Sequence, residues 1–472
     1  GPARTCGIWW GRSGSPPCFF LECTHETISS LLASCSLCAR AMLPRLLRGR
    51  GLSTVRAPVL DEGLLRRLEG VCRVSTNPSI LQRHGDDESH HVPIPPAAVA
   101  FPQSVEAVRA VVRLCSESAT ALVPFGSGTS LEGHIQATRG GISLDMSLMD
   151  SVLRVGHEDM DCTVEAGVTR KGLNAHLRHT GLHFSVDPGA DASIGGMVAT
   201  GASGTSAVRY GTMRENVLGL TAVLASGEVI RTGGRARKSS AGYDLTRLLI
   251  GSEGTLAVIT DVTLRLHAIP PAGAAASCLF PTLADAASAV TLLLQSSIPV
   301  ARCEILDAGT VAAFNAYAKD IPNLPVGPTL ILEFEGVSER AVAEQAEQAR
   351  GCCANFGGAD FEWASGEADR RRLWQARHNT YYAALALRPG SRGIVTDAAV
   401  PISHLAEVME ATARDVDTSG VVGPIFGHAG DGNFHAILLE HPDDPPEYVA
   451  ALNAVHARLI WRALAAGGTC TG

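Results

Sequence analysis

Two histidines in one short motif have the spacing of a metal site. The motif is Gly427-His-Ala-Gly-Asp-Gly-Asn-Phe-His435, in which Asp431-Gly432 is a favoured pair for a two-residue type I′ turn. Such a turn would place His428 directly across the hairpin from His435, with Cβ atoms ~5 Å apart. A lone histidine is more often a core or surface residue, but two facing imidazoles can bind one divalent ion. We therefore predict a metal site at this hairpin.

Arginines offer a second kind of chemistry. Arg370, Arg371, Arg372 and Arg377 lie close together around Trp374, in a stretch predicted to be helical. A planar guanidinium stays charged and presents two parallel N–H donors, so it matches the carboxylate of a small acid. The alternative for each of them is a solvated surface arginine.

A glycine-rich loop after an apolar strand has the form of an anion-binding site. In Val123–Gly133, Gly126 and Gly128 permit φ > 0 and remove two side chains, so backbone N–H groups can turn toward a pyrophosphate. The loop fits neither the Walker A nor the Rossmann pattern, so by itself it could be an ordinary turn. Further glycine-rich segments at 186–204 and 251–260 suggest one extended ligand, such as a dinucleotide, that is threaded between several elements.

Four motifs together resemble those of the FAD-linked oxidases of the vanillyl-alcohol-oxidase (PCMH) type. The sequence is most similar to the branch of that family that oxidises D-lactate in mitochondria, and the resemblance runs from about Glu62 to the last residue. The motifs are Asp187-Pro-Gly-Ala-Asp-Ala-Ser193, Arg209-Tyr-Gly-Thr-Met-Arg214, Gly251-Ser-Glu-Gly-Thr-Leu256 and the His428/His435 motif.

The resemblance implies a bound FAD, a divalent metal (zinc or manganese) and a set of site residues. His428 and His435 are expected to bind the metal, and His435, Arg377 and Asn433 are expected to act on the substrate. The FAD-binding residues are expected to lie in the glycine-rich segments and in the strand that follows them. They are Pro124, Gly126, Ser127, Gly128, Thr129, Ser130, Pro188, Gly189, Ser193, Gly195, Gly196, Gly201, Ser203, Gly204, Glu253, Gly254 and Ile259.

The implied activity is oxidation of D-lactate, or of a close D-2-hydroxy acid, to the 2-oxo acid, with the hydride passing to flavin N5. The alternatives are a D-2-hydroxyglutarate or glycolate dehydrogenase, or a flavin-binding isoform without turnover. The electron acceptor is expected to be a carrier such as cytochrome c or an electron-transfer flavoprotein. No nucleic acid and no transmembrane segment are expected.

The sequence departs from the family pattern in three places. It ends at Gly472, whereas the family continues into Glu-His-Gly-Ile-Gly. In that segment the glutamate resembles a third metal ligand and the histidine a candidate base. We therefore expect this form to bind metal poorly and to have low activity. His134 stands where the family has glycine, at a position that could need φ > 0. The stretch 233–238 is a few residues shorter than in the family. This shorter stretch and His134 both raise the question of how tightly the flavin is bound.

The pattern of helices and strands that must position these residues predicts an α+β fold. Helices and strands alternate over 61–269, where Ser104 and Thr169 are candidate N-caps, and this range is expected to form a two-part FAD-binding domain. Beyond the linker at 270–276, the strand-helix-strand pattern occurs twice and predicts a ferredoxin-like cap, or substrate, domain over 275–472.

Composition sets outer limits on function. A net charge of −8 argues against a nucleic-acid or anionic-membrane surface as the main partner, and no apolar run approaches a membrane span. Thirteen cysteines, an odd number, suit reduced thiols. Residues 1–60 are expected to be a disordered leader, with a mitochondrial transit peptide from Met42 because Arg45, Arg48, Arg50 and Arg56 occur there without acids; the alternative is a random basic linker.

Overall fold

The computed structural model describes residues 61–318, 323–366, 370, 373–374, 377 and 380–471. The described residues belong to one compact unit, 57–472. The predicted leader and transit peptide, and Arg371 and Arg372, lie outside the described residues. Within the described part of the chain, no helix combines the length and hydrophobicity needed to cross a bilayer.

Residues 61–269, which are predicted to bind FAD and are called the flavin-binding part below, contain two main sheets. A four-stranded sheet of order β1-β2-β4-β3 is parallel except at β1, and a five-stranded antiparallel sheet has the order β5-β6-β10-β8-β9; β7 pairs with β11. The strands are β1 Arg73–Ser75, β2 Ala98–Phe101, β3 Leu122–Phe125, β4 Ile142–Asp145, β5 Val152–Gly156, β6 Asp161–Glu165, β7 Leu182–His183, β8 Val217–Leu224, β9 Val229–Gly233, β10 Ala257–Arg265 and β11 His267–Ala268. These two sheets are the two parts of the predicted FAD-binding domain.

Short helices connect these strands, and side-chain caps define where they begin. Ser104 accepts a hydrogen bond from the Ala107 N–H, and Thr169 accepts one from the Gly172 N–H, so both predicted N-caps are present. The helices are α1 Glu62–Glu69, α2 Pro78–Arg83, α3 Val105–Glu117, α4 Arg170–Leu177, α5 Ile194–Thr200, α6 Ala207–Tyr210, α7 Met213–Asn216 and α8 Leu245–Leu249.

The cap contains a larger, antiparallel sheet. Its first four strands have the order β15-β12-β14-β13, which is that of the predicted ferredoxin-like fold. The sheet then continues through β18, β19, β17 and β20, and β16 also pairs with β19. The strands are β12 Ala272–Leu279, β13 Val300–Leu306, β14 Thr329–Gly336, β15 Ala359–Ala364, β16 Arg392–Val395, β17 Ala398–Ala399, β18 Ile425–Gly427, β19 Asn433–Glu440 and β20 Thr469–Cys470.

The two faces of the cap sheet differ in polarity because side chains alternate along each strand. Cys303 and Ile305 of β13 pack in the apolar core under the helices, whereas Arg302 and Glu304 point to the opposite face. That polar face contacts the flavin-binding part, since Arg302 pairs with Asp187 at 3.1 Å. The cap helices are α9 Leu283–Gln295, α10 Ala308–Tyr317, α11 Glu339–Ala354, α12 Thr380–Ala386, α13 Ile402–Ser419 and α14 Pro446–Ala465.

Candidate active site

The histidine hairpin has a different register from the predicted one. His435 on β19 faces Phe426 on β18, not His428. The two-residue turn is wrong because Ala429–Asp431 forms a 3₁₀ turn that ends at Gly432 in the left-handed conformation, φ 73°. This longer loop places His428 just beyond the end of β18. The two imidazoles are nevertheless neighbours, with ring centroids 5.6 Å apart and nearly perpendicular planes.

Hydrogen bonds at Nδ1 fix the direction of both rings. His428 Nδ1 lies 2.6 Å from Glu304 Oε1, and His435 Nδ1 lies 3.0 Å from the Thr396 carbonyl oxygen. A carbonyl only accepts, so His435 donates from Nδ1 and keeps the lone pair on Nε2. His428 likewise donates from Nδ1, because the ionised carboxylate of Glu304 only accepts. Each imidazole therefore has Nε2 left for a ligand or a proton.

Arg377 reaches the same place through Glu304. Its Nε donates to Glu304 Oε2 at 2.6 Å, and its guanidinium carbon lies 4.7 Å from the centre of the Phe426 ring. Only 12% of the Arg377 side chain is exposed, and none of Glu304. Arg377 is therefore held in the site, not solvated. The alternative of a solvated surface arginine does not fit Arg370, because Arg370 is partly buried and lies 3.6 Å from Glu333.

Asn433 is fixed by a carboxylate that the sequence analysis did not single out. Its amide donates to Asp397 Oδ1 at 2.6 Å and to the Ala398 carbonyl at 3.1 Å. Asp397 also lies 3.5 Å from His435 Nδ1. Glu304, too, is an acid that the sequence analysis did not single out. Both acids could have been recognised from the sequence, since each is a lone acid in or beside a largely apolar strand.

Burial and neighbouring charges together set the charge states of His435 and Glu304. The pKa of His435 is lowered to about 4, first by burial and further by the nearby positive charge of Arg377, against the opposing effect of Asp397. Burial alone would raise the pKa of Glu304, but His428 and Arg377 bring it below the ordinary value. At neutral pH the site therefore holds a neutral His435 beside an ionised Glu304.

The predicted pyrophosphate loop packs against the start of α5. Gly126 comes so close that a Cβ there would lie 2.2 Å from Ser193 Oγ, and Gly128 has φ 67°. Ser193 caps α5, and the helix carries Gly195 and Gly196 in its first turn. Ser127, Thr129 and Ser130 lie in the same loop, directly after Pro124 in β3.

The other predicted FAD residues lie in the two further glycine-rich segments and in the strand β10. Glu253 donates its backbone N–H to the Ala199 carbonyl of α5 and has φ 52°, and Gly254 follows at φ 75° against Pro124. A Cβ at Gly189, beside Pro188, or at Gly251 would meet no described atom within 4 Å, so open space borders these segments. Gly201 ends α5 in the left-handed conformation, and Ser203 and Gly204 follow it. Ile259 packs in the core of the five-stranded sheet.

The structure removes one doubt about this loop. The positive φ falls on Gly133, at 73°, and His134 is outside the left-handed region. The expectation that the bulkier residue needs φ > 0 is therefore wrong. The His134 side chain instead links two cofactor segments, with Nδ1 hydrogen-bonded to Ser130 Oγ and Nε2 3.2 Å from Glu253.

The residues present fit FAD better than they fit a metal ion. The segments that contain Ser193 and Gly254 border open space at Gly189 and Gly251, and Gly126 packs closely against Ser193, as a pyrophosphate cradle requires. For a metal, His428 and His435 offer two nitrogens, but the described residues contain no group of three or more histidines, cysteines or acids that could hold one. The two-histidine metal site is thus incomplete in the described part of the chain.

Comparisons with known proteins agree with this geometry. Residues 96–233 match the family described as "FAD binding domain", and residues 269–472 match "FAD linked oxidases, C-terminal domain". The chain is 46% identical to a Danio rerio protein named "Probable D-lactate dehydrogenase, mitochondrial", over 90% of this chain and 83% of the relative. The chain belongs to this family of FAD-linked dehydrogenases.

Other members and structural neighbours of the FAD-linked dehydrogenases extend the comparison. An Arabidopsis thaliana protein named "D-lactate dehydrogenase (cytochrome), mitochondrial" is 44% identical over 80% of this chain and 66% of its own length. The solved structure of an alkyldihydroxyacetonephosphate synthase superposes with a TM-score of 0.71 at 20% identity, covering 88% of this chain and 82% of that one. At that identity the likeness concerns the fold alone.

Several predictions from the sequence are confirmed by these comparisons. FAD as the cofactor follows from the FAD-binding domain, and the oxidoreductase class follows from the family. The mitochondrial setting agrees with the names of both relatives. The α+β fold with a PCMH-type domain and a ferredoxin-like cap is confirmed by the family matches and the strand orders.

Proposed function

We propose that this protein oxidises D-lactate, or a close D-2-hydroxy acid, to the corresponding 2-oxo acid. The names of the relatives support D-lactate as the substrate. The observation that carries the proposal is the convergence of Arg377, a cation suited to a carboxylate, with a neutral His435 and with Asn433 on one face of the cap sheet. These three residue types match the carboxylate and the hydroxyl of a 2-hydroxy acid.

Each side chain has a role that its position permits. Arg377 binds the substrate carboxylate with the guanidinium nitrogens that Glu304 does not hold, and Asn433 hydrogen-bonds the substrate. His435 accepts the hydroxyl proton at Nε2, because its lowered pKa leaves that atom unprotonated at neutral pH. FAD, when bound, would supply the two-electron acceptor that the oxidation of C2 requires.

A divalent ion such as zinc or manganese is an alternative use of the same two imidazoles. His428 and His435 would then each give Nε2 as a ligand, and a third ligand would have to come from substrate, solvent or residues outside the described part. No step of the reaction is derived through such an ion. Activity that survives dialysis against a chelator would exclude it.

Two other functions compete with D-lactate oxidation. The same site chemistry suits a dehydrogenase of D-2-hydroxyglutarate or glycolate, in which only the pocket around the substrate's remaining atoms differs. From another class, the chain could bind flavin without turnover. The name of the Arabidopsis relative supports a cytochrome as the electron acceptor. The predicted cytochrome is cytochrome c, and an electron-transfer flavoprotein is the alternative.

One experiment separates these functions. The purified FAD-containing chain is mixed with D-lactate, D-2-hydroxyglutarate or glycolate and an artificial electron acceptor, and kcat/KM is ranked. We expect D-lactate to rank first. A higher kcat/KM for either other acid would reassign the substrate, and turnover with none of them would favour the flavin-binding protein.

A further inference from the structure

Glu304 is a buried carboxylate with both oxygens committed to residues of the candidate site. It lies on β13 between two core residues, and its side chain is fully buried. Oε2 accepts from Arg377 Nε at 2.6 Å, and Oε1 lies 2.6 Å from His428 Nδ1. One carboxylate on a rigid strand thus holds two side chains that come from separate loops and helices.

Such a group has a cost that its partners must offset. An isolated buried carboxylate is strongly unfavourable, so it persists only when it is paired and hydrogen-bonded. The 2.6 Å contacts are those of charge-assisted hydrogen bonds, which are short and directional. Because Phe426 lies against the guanidinium of Arg377, that group is held by Glu304 at one edge and by a ring at one face.

We infer that Glu304 is a positioning residue for the reaction. It aims Arg377 at the substrate carboxylate and fixes the direction of the His428 ring, so that Nε2 points away from Glu304. Glu304 touches neither substrate nor cofactor in this role, and acts only through those two residues. The inference rests on the proposed function, since it assigns a task within the same site.

The chain offers a matched control for a purely structural carboxylate. Glu333 lies on the neighbouring strand β14, on the same sheet face, and 8% of its side chain is exposed. It also bridges two partners, Arg302 at 2.6 Å and Arg370 at 3.6 Å. Glu333 contacts none of the predicted catalytic or metal-binding residues, so replacing it removes a comparable ionic contact and leaves Arg377 and His428 in place.

The test compares Glu304→Gln, Glu304→Asp and Glu333→Gln in the full chain with FAD bound. We expect Glu304→Gln to lower kcat/KM for D-lactate about 10–100-fold, the range found when a residue that orients a ligand is lost. KM should rise, because a misdirected Arg377 binds the carboxylate less well. Glu304→Asp keeps the charge and should recover part of the loss. Glu333→Gln should lower the melting temperature but leave kcat/KM within about twofold of the wild type.

The outcomes separate the inference from the proposed function. Wild-type activity with equal kcat/KM losses in Glu304→Gln and Glu333→Gln, or with no loss in Glu304→Gln, would overturn the positioning role and leave the function standing. A wild type that oxidises no 2-hydroxy acid would overturn the function and the positioning role with it. If Glu304→Gln does not fold, the kcat/KM of Glu304→Asp for D-lactate becomes the test. A wild-type kcat/KM in Glu304→Asp would then refute the inference.

Discussion

At the scale of single residues, Arg377 is the group whose chemistry is hardest to replace. Lysine keeps the charge but loses the planar fork that can hold Glu304 and a substrate carboxylate at once. Arg377→Lys should therefore lower kcat/KM for D-lactate by ~2–4 kcal/mol in transition-state free energy, with unchanged FAD content. Steady-state kinetics and the flavin-to-protein absorbance ratio measure both quantities.

Arg388→Lys is the matched control, because Arg388 pairs with Asp444 and the Leu439 carbonyl away from the predicted site residues. It should leave kcat/KM unchanged. Wild-type kinetics in Arg377→Lys, or equal losses in both variants, would contradict the assignment of Arg377 to the substrate.

His267 gives a residue-scale prediction about pH. Its pKa is lowered to about 4, mainly by burial and also by the nearby Arg265 and His183. The unfolded state therefore binds a proton at His267 between about pH 6.5 and 4, where the folded state does not, so this residue makes stability fall as pH falls through that window. In His267→Gln, the drop in melting temperature from pH 7 to pH 5 should be smaller than in the wild type.

The control for that measurement is His176→Gln, at an exposed position on α4. It should reproduce the wild-type pH dependence. An unchanged drop in His267→Gln would mean that His267 is protonated in the folded protein, contrary to the burial argument.

The residue types at the site could be predicted from sequence, but their partners could not. His428, His435, Asn433 and Arg377 stood out by motif. Glu304 lies 73 residues before Arg377 in the chain, and only the tertiary fold brings the two within hydrogen-bond distance. Long-range pairing of this kind is set by tertiary packing, which local spacing does not encode.

At the scale of elements, we expect the packing of the glycine-rich loop on α5 to determine how well FAD binds. A Cβ at Gly126 would clash with Ser193 Oγ, so Gly126→Ala must displace the loop or turn the Ser193 hydroxyl away from the helix start that it caps. We expect the purified variant to contain clearly less FAD than the wild type, measured by flavin absorbance after gel filtration.

Gly351→Ala serves as the control, because a Cβ there, on α11, meets nothing within 4 Å. It should keep full FAD content and raise stability by up to ~1 kcal/mol, since alanine favours a helix interior over glycine. Full FAD occupancy in Gly126→Ala would show that this close approach does not matter for binding.

Element types and boundaries were largely predictable, whereas the hairpin register was not. Helices such as α9 and α11 follow from periodic apolar residues and N-caps, which are local signals. The turn after His428 was predicted from the favourable Asp431-Gly432 pair. The chain instead places Ala429–Asp431 in a 3₁₀ turn, which shifts the strand pairing by two residues.

At the scale of the whole molecule, polar contacts fix the cap to the flavin-binding part. Tyr210 on α6 donates to Glu335 on β14 at 2.6 Å. Tyr210→Phe removes this bond to a charged acceptor and should destabilise the protein by ~1.5–3 kcal/mol, measured as a lower melting temperature.

Tyr382→Phe is the matched control, since Tyr382 is 55% exposed, and it should leave the melting temperature unchanged. Equal melting temperatures for Tyr210→Phe and the wild type would show that this contact does not stabilise the docking of the cap.

The central claim is that this chain uses FAD to remove hydride from the C2 atom of a D-2-hydroxy acid. The most direct test is to mix the FAD-containing protein with D-lactate, C2-deuterated D-lactate or L-lactate without oxygen and to follow the absorbance of oxidised flavin. We predict that D-lactate bleaches the flavin, that the deuterated acid does so more slowly, and that L-lactate does not. Flavin that stays oxidised with D-lactate, or that bleaches equally with both enantiomers, would contradict the account.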